Sequence, residues 1–175
     1  MFVRELPDPQ PIHHSSIDGT SRGEWVKRSE DRWQYMYYNN RGGYSYVKNS
    51  WDYLLWKGFR YWYHFDTDGF MQVGWFTDGF GNRFYLSVIH DNWYGHMLTD
   101  WQQIDGFWYY FTPTNSKYAG RMLTGWQFIG GKWYYFETRD NIKGRPIGSL
   151  YMNTVTPDGY RVGADGTWID SPVQV

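Results

Sequence analysis

The stretch GWQFIGGKWYYF, residues 125–136, is the clearest copy of a pattern that recurs along the chain. The stretch DWQQIDGFWYYF, residues 100–111, repeats it with tryptophan at the same two positions. In each copy two short aromatic runs flank a dipeptide, Gly-Gly or Asp-Gly. These dipeptides favour a type I′ turn because they tolerate positive φ at both central positions. We therefore predict that each stretch folds as a two-stranded β-hairpin.

A period of 24–26 residues extends this unit over most of the chain. It is marked by the tryptophans Trp25, Trp51, Trp75, Trp101 and Trp126. A fixed period in this range is typical of repeat proteins. A lone hairpin is marginally stable in water, and stacked hairpins share a core. The sequence therefore predicts an all-β fold, a β-solenoid of stacked two-stranded hairpins with no regular helices.

We divide the chain into three parts. Residues 1–23, rich in proline and serine, are predicted to be an extended N-terminal arm or linker. Residues 24–153 are predicted to form five hairpin repeats. Residues 154–175 are predicted to form a C-terminal capping hairpin, because Thr154 stands where the next repeat tryptophan is due.

The turns and connectors have their own signals. Asp-Gly occurs at 18–19, 68–69, 78–79, 105–106, 158–159 and 165–166, and we interpret each as a hairpin turn. Between hairpins we expect polar, irregular connectors, each ending in a Gly-x-Met or related cluster such as Gly120-Arg121-Met122. The flexible thioether of methionine suits it to fill the gap between neighbouring hairpins.

Composition excludes several functions. The net charge is −1, and 17 basic residues among 18 acidic ones form no basic groove for nucleic acid. There is no cysteine, which excludes disulfide and thiolate chemistry. No apolar run is long enough for membrane insertion. Residues 1–9 lack the apolar core of a signal peptide, so we expect another export route, a phage-encoded protein, or a piece of a longer one.

The aromatic residues predict cages between hairpins. Counting back from the Asp105-Gly106 turn pairs Trp101 with Tyr110 and Gln103 with Trp108, so both tryptophans share one face. If hairpins stack in one sense, Tyr134 of the next hairpin meets that face. Such a gap suits a quaternary ammonium, which binds π-faces and makes no hydrogen bonds. The alternative is that these rings only pack against each other as core.

Other repeats offer less complete cages. The pair Trp51 and Trp62 would have Phe84 as the third wall of its cage. The pair Trp25 and Trp33 would have Tyr63. The pair Trp126 and Trp133 would have Tyr160 or Trp168. Beside Trp75, Arg83 takes the place of the second tryptophan, and its guanidinium would repel a cation. The candidate ligand-binding residues are Trp101, Trp108, Tyr134, Trp126, Trp133, Trp51, Trp62, Trp75 and Tyr109.

The unit Gly-Trp…Gly-x-Trp-Tyr-Tyr-Phe…Gly-x-Met-x-Thr-Gly-Trp, strongest over residues 101–136, resembles the choline-binding, or cell-wall-binding, repeats of Gram-positive bacteria and their phages. Its length is similar to that of the clostridial variety. The resemblance implies choline held by two tryptophans and a tyrosine from the next hairpin. It also implies attachment to choline-bearing teichoic acid or another cell-wall polysaccharide, and an extracellular or cell-surface location. Related repeats in glucan-binding proteins and clostridial toxins bind carbohydrate.

No catalytic motif is present in the sequence, neither Gly-x-Ser-x-Gly nor His-Glu-x-x-His. His90 and His96 do not have metal-site spacing, and the adjacent His13 and His14 would point to opposite faces of a strand. We therefore predict a non-catalytic cell-wall-binding module without cofactor or metal. One alternative is a glucan-binding or other carbohydrate-binding module. The other is a structural module that docks a partner protein or forms a homo-oligomer through its terminal hairpins.

Overall fold

The structure is a computed structural model that describes residues 12–13, 22–38, 41–140 and 144–169. These residues contain fourteen strands and no helix, so the prediction of an all-β fold of stacked hairpins is confirmed. No helix among them is long and apolar enough to cross a membrane. The strands are β1 Ile12–His13, β2 Arg22–Ser29, β3 Arg32–Tyr38, β4 Tyr44–Tyr46, β5 Ser50–Trp56, β6 Phe59–Phe65, β7 Gly74–Thr77, β8 Arg83–Leu86, β9 Asp100–Ile104, β10 Phe107–Phe111, β11 Gly125–Ile129, β12 Lys132–Phe136, β13 Thr154–Val155 and β14 Arg161–Val162.

The chain divides into two compact units. The first takes its residues from Met1–Phe76 and Tyr85–Met97, and the second takes its residues from Thr77–Phe84 and Leu98–Val175. The boundary passes through the β7–β8 hairpin, whose turn belongs to the second unit.

The first unit begins with a four-stranded sheet in the order β1–β2–β3–β4. This sheet is wider than the two-stranded hairpin expected from the sequence, because Tyr44 and Tyr46 pair with the outer edge of β3. An added strand satisfies backbone groups that an open edge would leave unpaired. At the other edge, Ile12 pairs with Gly23. The rest of the predicted arm through residue 21, including His14, lies outside the described residues.

Two kinds of turn connect the strands. Type I′-like turns, with positive φ at both central residues, occur at Lys57-Gly58, Asp105-Gly106 and Gly130-Gly131. Among the Asp-Gly dipeptides in the described residues, Asp105-Gly106 alone has this type I′-like geometry. Asp78-Gly79 and Asp158-Gly159 also lie in hairpin turns, between β7 and β8 and between β13 and β14, but in longer loops. Asp68-Gly69 is representative: the Gly69 N–H donates to the Asp66 carbonyl at 3.0 Å, which closes a four-residue turn. The Asp66 carboxylate also accepts the Phe70 N–H at 2.8 Å, which explains the longer loop.

A short segment after each of four hairpins ties it to an earlier one. We call these the crossing segments; they are residues 69–71, 95–97, 120–122 and 148–150. The Met or Leu of each segment forms an isolated bridge with the last residue of the preceding strand. These bridges are Phe65–Met71, Leu86–Met97, Phe111–Met122 and Phe136–Leu150. The backbone N–H of each of these Met or Leu residues donates to a carbonyl one hairpin further back, and Trp168 does the same at the C-terminus. The pairs are Met71 to Trp33 (2.7 Å), Met97 to Trp62 (2.8 Å), Met122 to Arg83 (2.8 Å), Leu150 to Trp108 (2.8 Å) and Trp168 to Trp133 (2.9 Å).

The predicted role of methionine as a filler between hairpins is confirmed in both units. A Cβ added at Gly95 would lie 2.3 Å from the Met71 sulfur, and one added at Gly148 would lie 2.3 Å from the Met122 sulfur. Met71 is 7% exposed. Each methionine therefore packs directly on a glycine of the next crossing segment.

The second unit buries a charge in its last connector. Glu137 is fully buried, and its Oε2 accepts the Tyr151 hydroxyl at 2.6 Å. Its Oε1 accepts the backbone N–H groups of Thr138 and Arg139 at 2.9 and 3.0 Å. These bonds anchor the connector and replace the water that the carboxylate loses on burial. Tyr151 also joins a small apolar cluster with Tyr135 and the buried Val162 of the terminal hairpin.

Candidate functional site

The repeat tryptophans of the second unit have the predicted register. Trp101 pairs with Tyr110 and Gln103 pairs with Trp108 across β9 and β10. Since side chains alternate between the two faces of a strand, Trp101 and Trp108 lie on the same face. Trp108 is 36% exposed.

The next hairpin meets that face. The ring of Tyr134 lies 4.9 Å from that of Trp101 at an interplanar angle of 67°, and Phe136 lies 5.8 Å away. The predicted approach of Tyr134 to Trp101 is therefore confirmed as geometry. We call Trp101, Trp108 and Tyr134 the middle junction; its role in ligand binding stays a prediction.

An aromatic cavity of the second unit lies near its C-terminal end. We call it the C-terminal cage; it measures about 440 Å³ and is lined by Trp126, Trp133, Asp158, Tyr160 and Trp168. Trp126 and Tyr160 meet nearly edge-on, with centroids 5.7 Å apart at 87°, and Tyr160 and Trp168 lie 6.3 Å apart at 79°. The exposed fractions of Trp133, Tyr160 and Trp168 are 43%, 41% and 39%. Both candidate third walls for Trp126 and Trp133 are therefore present.

The fold explains why these rings converge. Trp126 pairs with Tyr135, and Phe128 pairs with Trp133, so both tryptophans lie on one face of the β11–β12 hairpin. The N–H of Trp168 donates to the Trp133 carbonyl, which holds the terminal segment against that hairpin. The terminal hairpin therefore supplies the walls that a further repeat would otherwise supply.

Sequence reasoning missed Asp158, which is the charged group of the C-terminal cage. Its Oδ2 accepts the indole N–H of Trp126 at 2.7 Å, and its Oδ1 accepts the Thr156 hydroxyl at 2.6 Å. Burial acts to raise the pKa of this carboxyl, but these two hydrogen bonds outweigh it and the pKa lies below its usual value. A carboxylate two residues before a wall aromatic, Tyr160, was the available signal; we interpreted it only as a turn residue.

A second cavity, of about 190 Å³, lies in the first unit. Trp25, Trp33 and Tyr63 all line it, as predicted for that repeat, and the Trp25 and Tyr63 rings lie 4.8 Å apart at 70°. The ammonium of Lys27 also lines it, 5.5 Å from the centre of the Trp33 ring. Trp25 is only 3% exposed, so its ring serves mainly as core. This cavity therefore already has a cation of the protein against one of its aromatic walls.

The remaining candidates have less complete surroundings. Trp51 contacts His64 at 5.0 Å and Phe76 at 5.6 Å, while Trp62 lies against Tyr53 at 5.2 Å. Phe84 belongs to the other unit, so its closure of the Trp51–Trp62 pair stays a prediction.

The same boundary separates Trp75 from Arg83, and the predicted repulsion of a cation there is likewise untested. Within the first unit, Trp75 packs edge-on against Tyr85 at 5.0 Å. Tyr109 is 2% exposed beside Phe111, so its ring offers little surface to a ligand, and its binding role stays a prediction.

The histidines are used locally. His90 pairs with Asp31 at 3.0 Å and stacks on Tyr94 at 4.2 Å, whereas His96 bonds to the Trp93 carbonyl. In the part of the chain that the structure describes, no three His, Asp or Glu side chains lie close enough together to hold a metal ion.

Comparison with known proteins agrees with this geometry. The family model of the choline-binding repeat matches residues 98–141, which include the middle junction. A search of curated protein sequences gives no significant match.

Among solved structures, choline binding protein F from Streptococcus pneumoniae is similar with a TM-score of 0.52 and 26% identity, over 83% of this chain and 57% of that chain. Another structure of that protein, with a peptidoglycan analogue, gives 30% identity and a TM-score of 0.47, over 83% of this chain and 46% of that chain. The pneumococcal cell-wall endolysin from phage Cp-1, complexed with choline, gives 28% identity and a TM-score of 0.49, over 88% of this chain and 39% of that chain. The chain thus spans less than two thirds of the length of these proteins. The resemblance to choline-binding repeats found in the sequence is confirmed, because residues 98–141 match the family model of that repeat and the chain is similar in fold to choline binding protein F.

Proposed function

We propose that this chain is a non-catalytic cell-wall-binding module that holds the choline groups of surface polymers in aromatic cages between consecutive hairpins. The family match over residues 98–141 and the likeness to choline binding protein F support this function. The polymer we propose is a choline-bearing teichoic acid or a related wall polysaccharide, which places the protein at the cell surface.

The C-terminal cage is the observation that carries the proposal. Its rings meet at angles of 79–87°, so π-faces and ring edges surround the cavity from several directions. A quaternary ammonium has no N–H to donate and is held by contact with π-faces. Three of the four rings are about 40% exposed, which leaves the cage open to a ligand attached to a polymer.

The middle junction provides a second site of the same kind. Trp101 and Tyr134 are in ring contact there, and Trp108 is partly open to solvent. Single cation–π contacts contribute only about 0.5–2 kcal/mol each, so each cage alone is weak. Two cages on one chain engage two groups of the same polymer, and the second binding event then occurs at a high effective concentration.

The carboxylates of the turns support a binding role over catalysis. Asp78 accepts the backbone N–H groups of Phe80 and Asn82 at 2.9 and 2.8 Å, and Asp165 accepts the Thr167 N–H at 3.1 Å. These carboxylates shape loops, which is the common role of aspartate in turns.

A choline titration followed by tryptophan fluorescence tests the proposal. We expect a saturable change in the millimolar range that is reduced by Trp101→Ala and by Trp133→Ala. Phe80→Ala is the matched control, because Phe80 is 92% exposed and lies in neither cage.

Retention on choline-bearing walls, eluted by free choline, is the second readout. A flat fluorescence response together with elution by glucan oligosaccharides would replace this function with carbohydrate binding. Self-association at micromolar concentration without any small-molecule response would favour the docking alternative.

A further inference from the structure

The C-terminal cage differs from a purely aromatic cage because a carboxylate forms part of its lining. Asp158 lies among Trp126, Trp133, Tyr160 and Trp168. Dispersion contacts with the rings are similar for a trimethylammonium group and for an uncharged group of the same shape, and the π-faces add a cation–π attraction for the charged group. A carboxylate adds attraction for the charged group only.

The hydrogen bonds of Asp158 fix the position of its charge. Trp126 donates its indole N–H to Oδ2 and Thr156 donates its hydroxyl to Oδ1. Both donors favour the ionised carboxylate. Each oxygen retains a further lone-pair direction, because an ionised carboxylate has about four acceptor sites in all.

The lysine of the adjoining β11–β12 hairpin has a different partner. Lys132 precedes the wall residue Trp133, and its ammonium lies 3.6 Å from the carboxylate of Asp165. Asp165 stands in the following turn and is absent from the cage lining. The charge of Lys132 is therefore directed toward Asp165.

We propose that Asp158 increases the selectivity of the C-terminal cage for cationic ligands over neutral ligands of the same shape, beyond the preference that the rings give. This inference rests on the proposed function, in which the cages bind choline, and it identifies a specificity-determining residue of one cage. Asp158 supplies the counter-charge, and the four rings supply the contact surface. The cavity of the first unit has a positive group instead of a carboxylate, because the ammonium of Lys27 lies over Trp33 there.

Selectivity implies that salt weakens the choline complex of this cage. Asp158 is exposed, so its attraction for a bound cation is screened by dissolved ions. The effect of its charge is then that of an exposed ion pair, which corresponds to roughly a twofold to fivefold change in affinity.

The test uses the full chain and the indole N–H resonance of Trp126 in a ¹H–¹⁵N spectrum, assigned by its loss in Trp126→Phe. This resonance reports the C-terminal cage alone, because its proton is donated to Asp158. The probes are choline and 3,3-dimethylbutan-1-ol, the neutral isostere in which carbon replaces the ammonium nitrogen. We expect the wild-type protein to bind choline more tightly than the isostere, with the preference decreasing as sodium chloride is added.

Asp158→Asn keeps an oxygen acceptor for Trp126 and removes the charge. We expect it to weaken choline binding roughly twofold to fivefold, leave the isostere unchanged and abolish the salt dependence. Asp105→Asn is the matched control, because Asp105 is an exposed turn carboxylate of the β9–β10 hairpin and lies outside the cage; both affinities read at the Trp126 resonance should stay unchanged.

Two outcomes distinguish a failure of the role of Asp158 from a failure of the proposed choline binding. If choline shifts the Trp126 resonance but Asp158→Asn leaves the preference for choline unchanged, the role of Asp158 is refuted and the proposed function stands. If choline shifts no indole resonance of the wild-type protein, the proposed function is refuted together with this inference. The salt series on the wild-type protein gives the same decision without relying on a variant.

Discussion

The contact between Gly148 and Met122 provides a direct test of how the repeats pack. Gly148 has a φ of 82° and lies against the thioether of Met122. Substitution Gly148→Ala places a Cβ 2.3 Å from the sulfur and 2.6 Å from Cε of that methionine. Both distances are shorter than real Cβ contacts, so the methionine or the crossing segment must move.

Two costs add in this variant. A non-glycine residue in the left-handed region costs about 1–2 kcal/mol. The atoms in the way are the far end of the flexible, half-buried Met122 side chain, so displacing them costs about 1 kcal/mol, the low end for an added methyl group. We therefore expect Gly148→Ala to lower the free energy of unfolding by about 2–3 kcal/mol.

Gly106→Ala is the matched control. Gly106 has a φ of 83°, and a Cβ there would meet nothing within 4 Å. It should lose only the backbone contribution, about 1–2 kcal/mol. Urea unfolding followed by tryptophan fluorescence measures both variants under one protocol.

The double variant Gly148→Ala with Met122→Ala isolates the steric contribution. Met122→Ala opens the space that the new methyl group needs, so the two losses should not add. The double variant should be more stable than the sum of the two single effects predicts by about 1 kcal/mol, the overpacking contribution alone. Equal effects of Gly148→Ala and Gly106→Ala, or strict additivity in the double variant, would refute the packing argument.

Three further predictions concern charge. Lys27→Met should remove the ammonium group that lies over Trp33 in the first-unit cavity, and calorimetry should then show one more choline molecule bound per chain. An unchanged number would show that Lys27 does not occupy a choline site. Burial acts to raise the pKa of Glu137, but hydrogen bonds from Tyr151 and two backbone N–H groups outweigh it and the pKa is lowered from 4.5. The ionised Glu137 therefore stabilises the folded state above pH 4.5, and this contribution is lost as the pH falls through its pKa in the folded state. Glu137→Gln should lower the free energy of unfolding by about 1–3 kcal/mol at pH 7 and by less in acid. An equal loss at pH 7 and pH 3 would contradict this. Burial lowers the pKa of His64 from 6.5 and outweighs the hydrogen bond with Gln72, which acts to raise it. The free energy of unfolding should therefore fall as the pH drops through 6.5, because the unfolded chain binds the proton more readily. Unfolding curves of His64→Phe should show a weaker dependence of this free energy on pH. An unchanged slope in His64→Phe would assign the dependence to another group.

The registers of the hairpins were predictable because their turn residues fix them, whereas the stacking of the hairpins in one sense was an assumption. The Asp105-Gly106 turn admits one two-residue pairing, and this pairing places Trp101 and Trp108 on one face. The short repeat then leaves Tyr134 as the residue that meets Trp101. The choice of fold and of the middle junction therefore followed from turn chemistry and period.

The charges at the cavities were not predictable in the same way. Asp158 lies in a turn whose sequence only indicates a change of direction, and its approach to Trp126 depends on how the terminal hairpin packs. Lys27 is on a strand, where its long side chain can point along the surface or over Trp33. Strand β4 was missed because three residues, Tyr44–Tyr46, are too short to give a periodic signal.

The backbone bonds of the crossing segments bear on how the chain folds during synthesis. Each acceptor carbonyl, such as that of Trp108, finds its donor roughly forty residues later, at Leu150 in that case. A newly made hairpin therefore stays incomplete until the ribosome has added more than one further repeat. Loop closure of this size is the same at every step, so a longer array would fold at a similar rate per repeat. In the part of the chain that the structure describes, Trp168 supplies the last of these donors, to the Trp133 carbonyl.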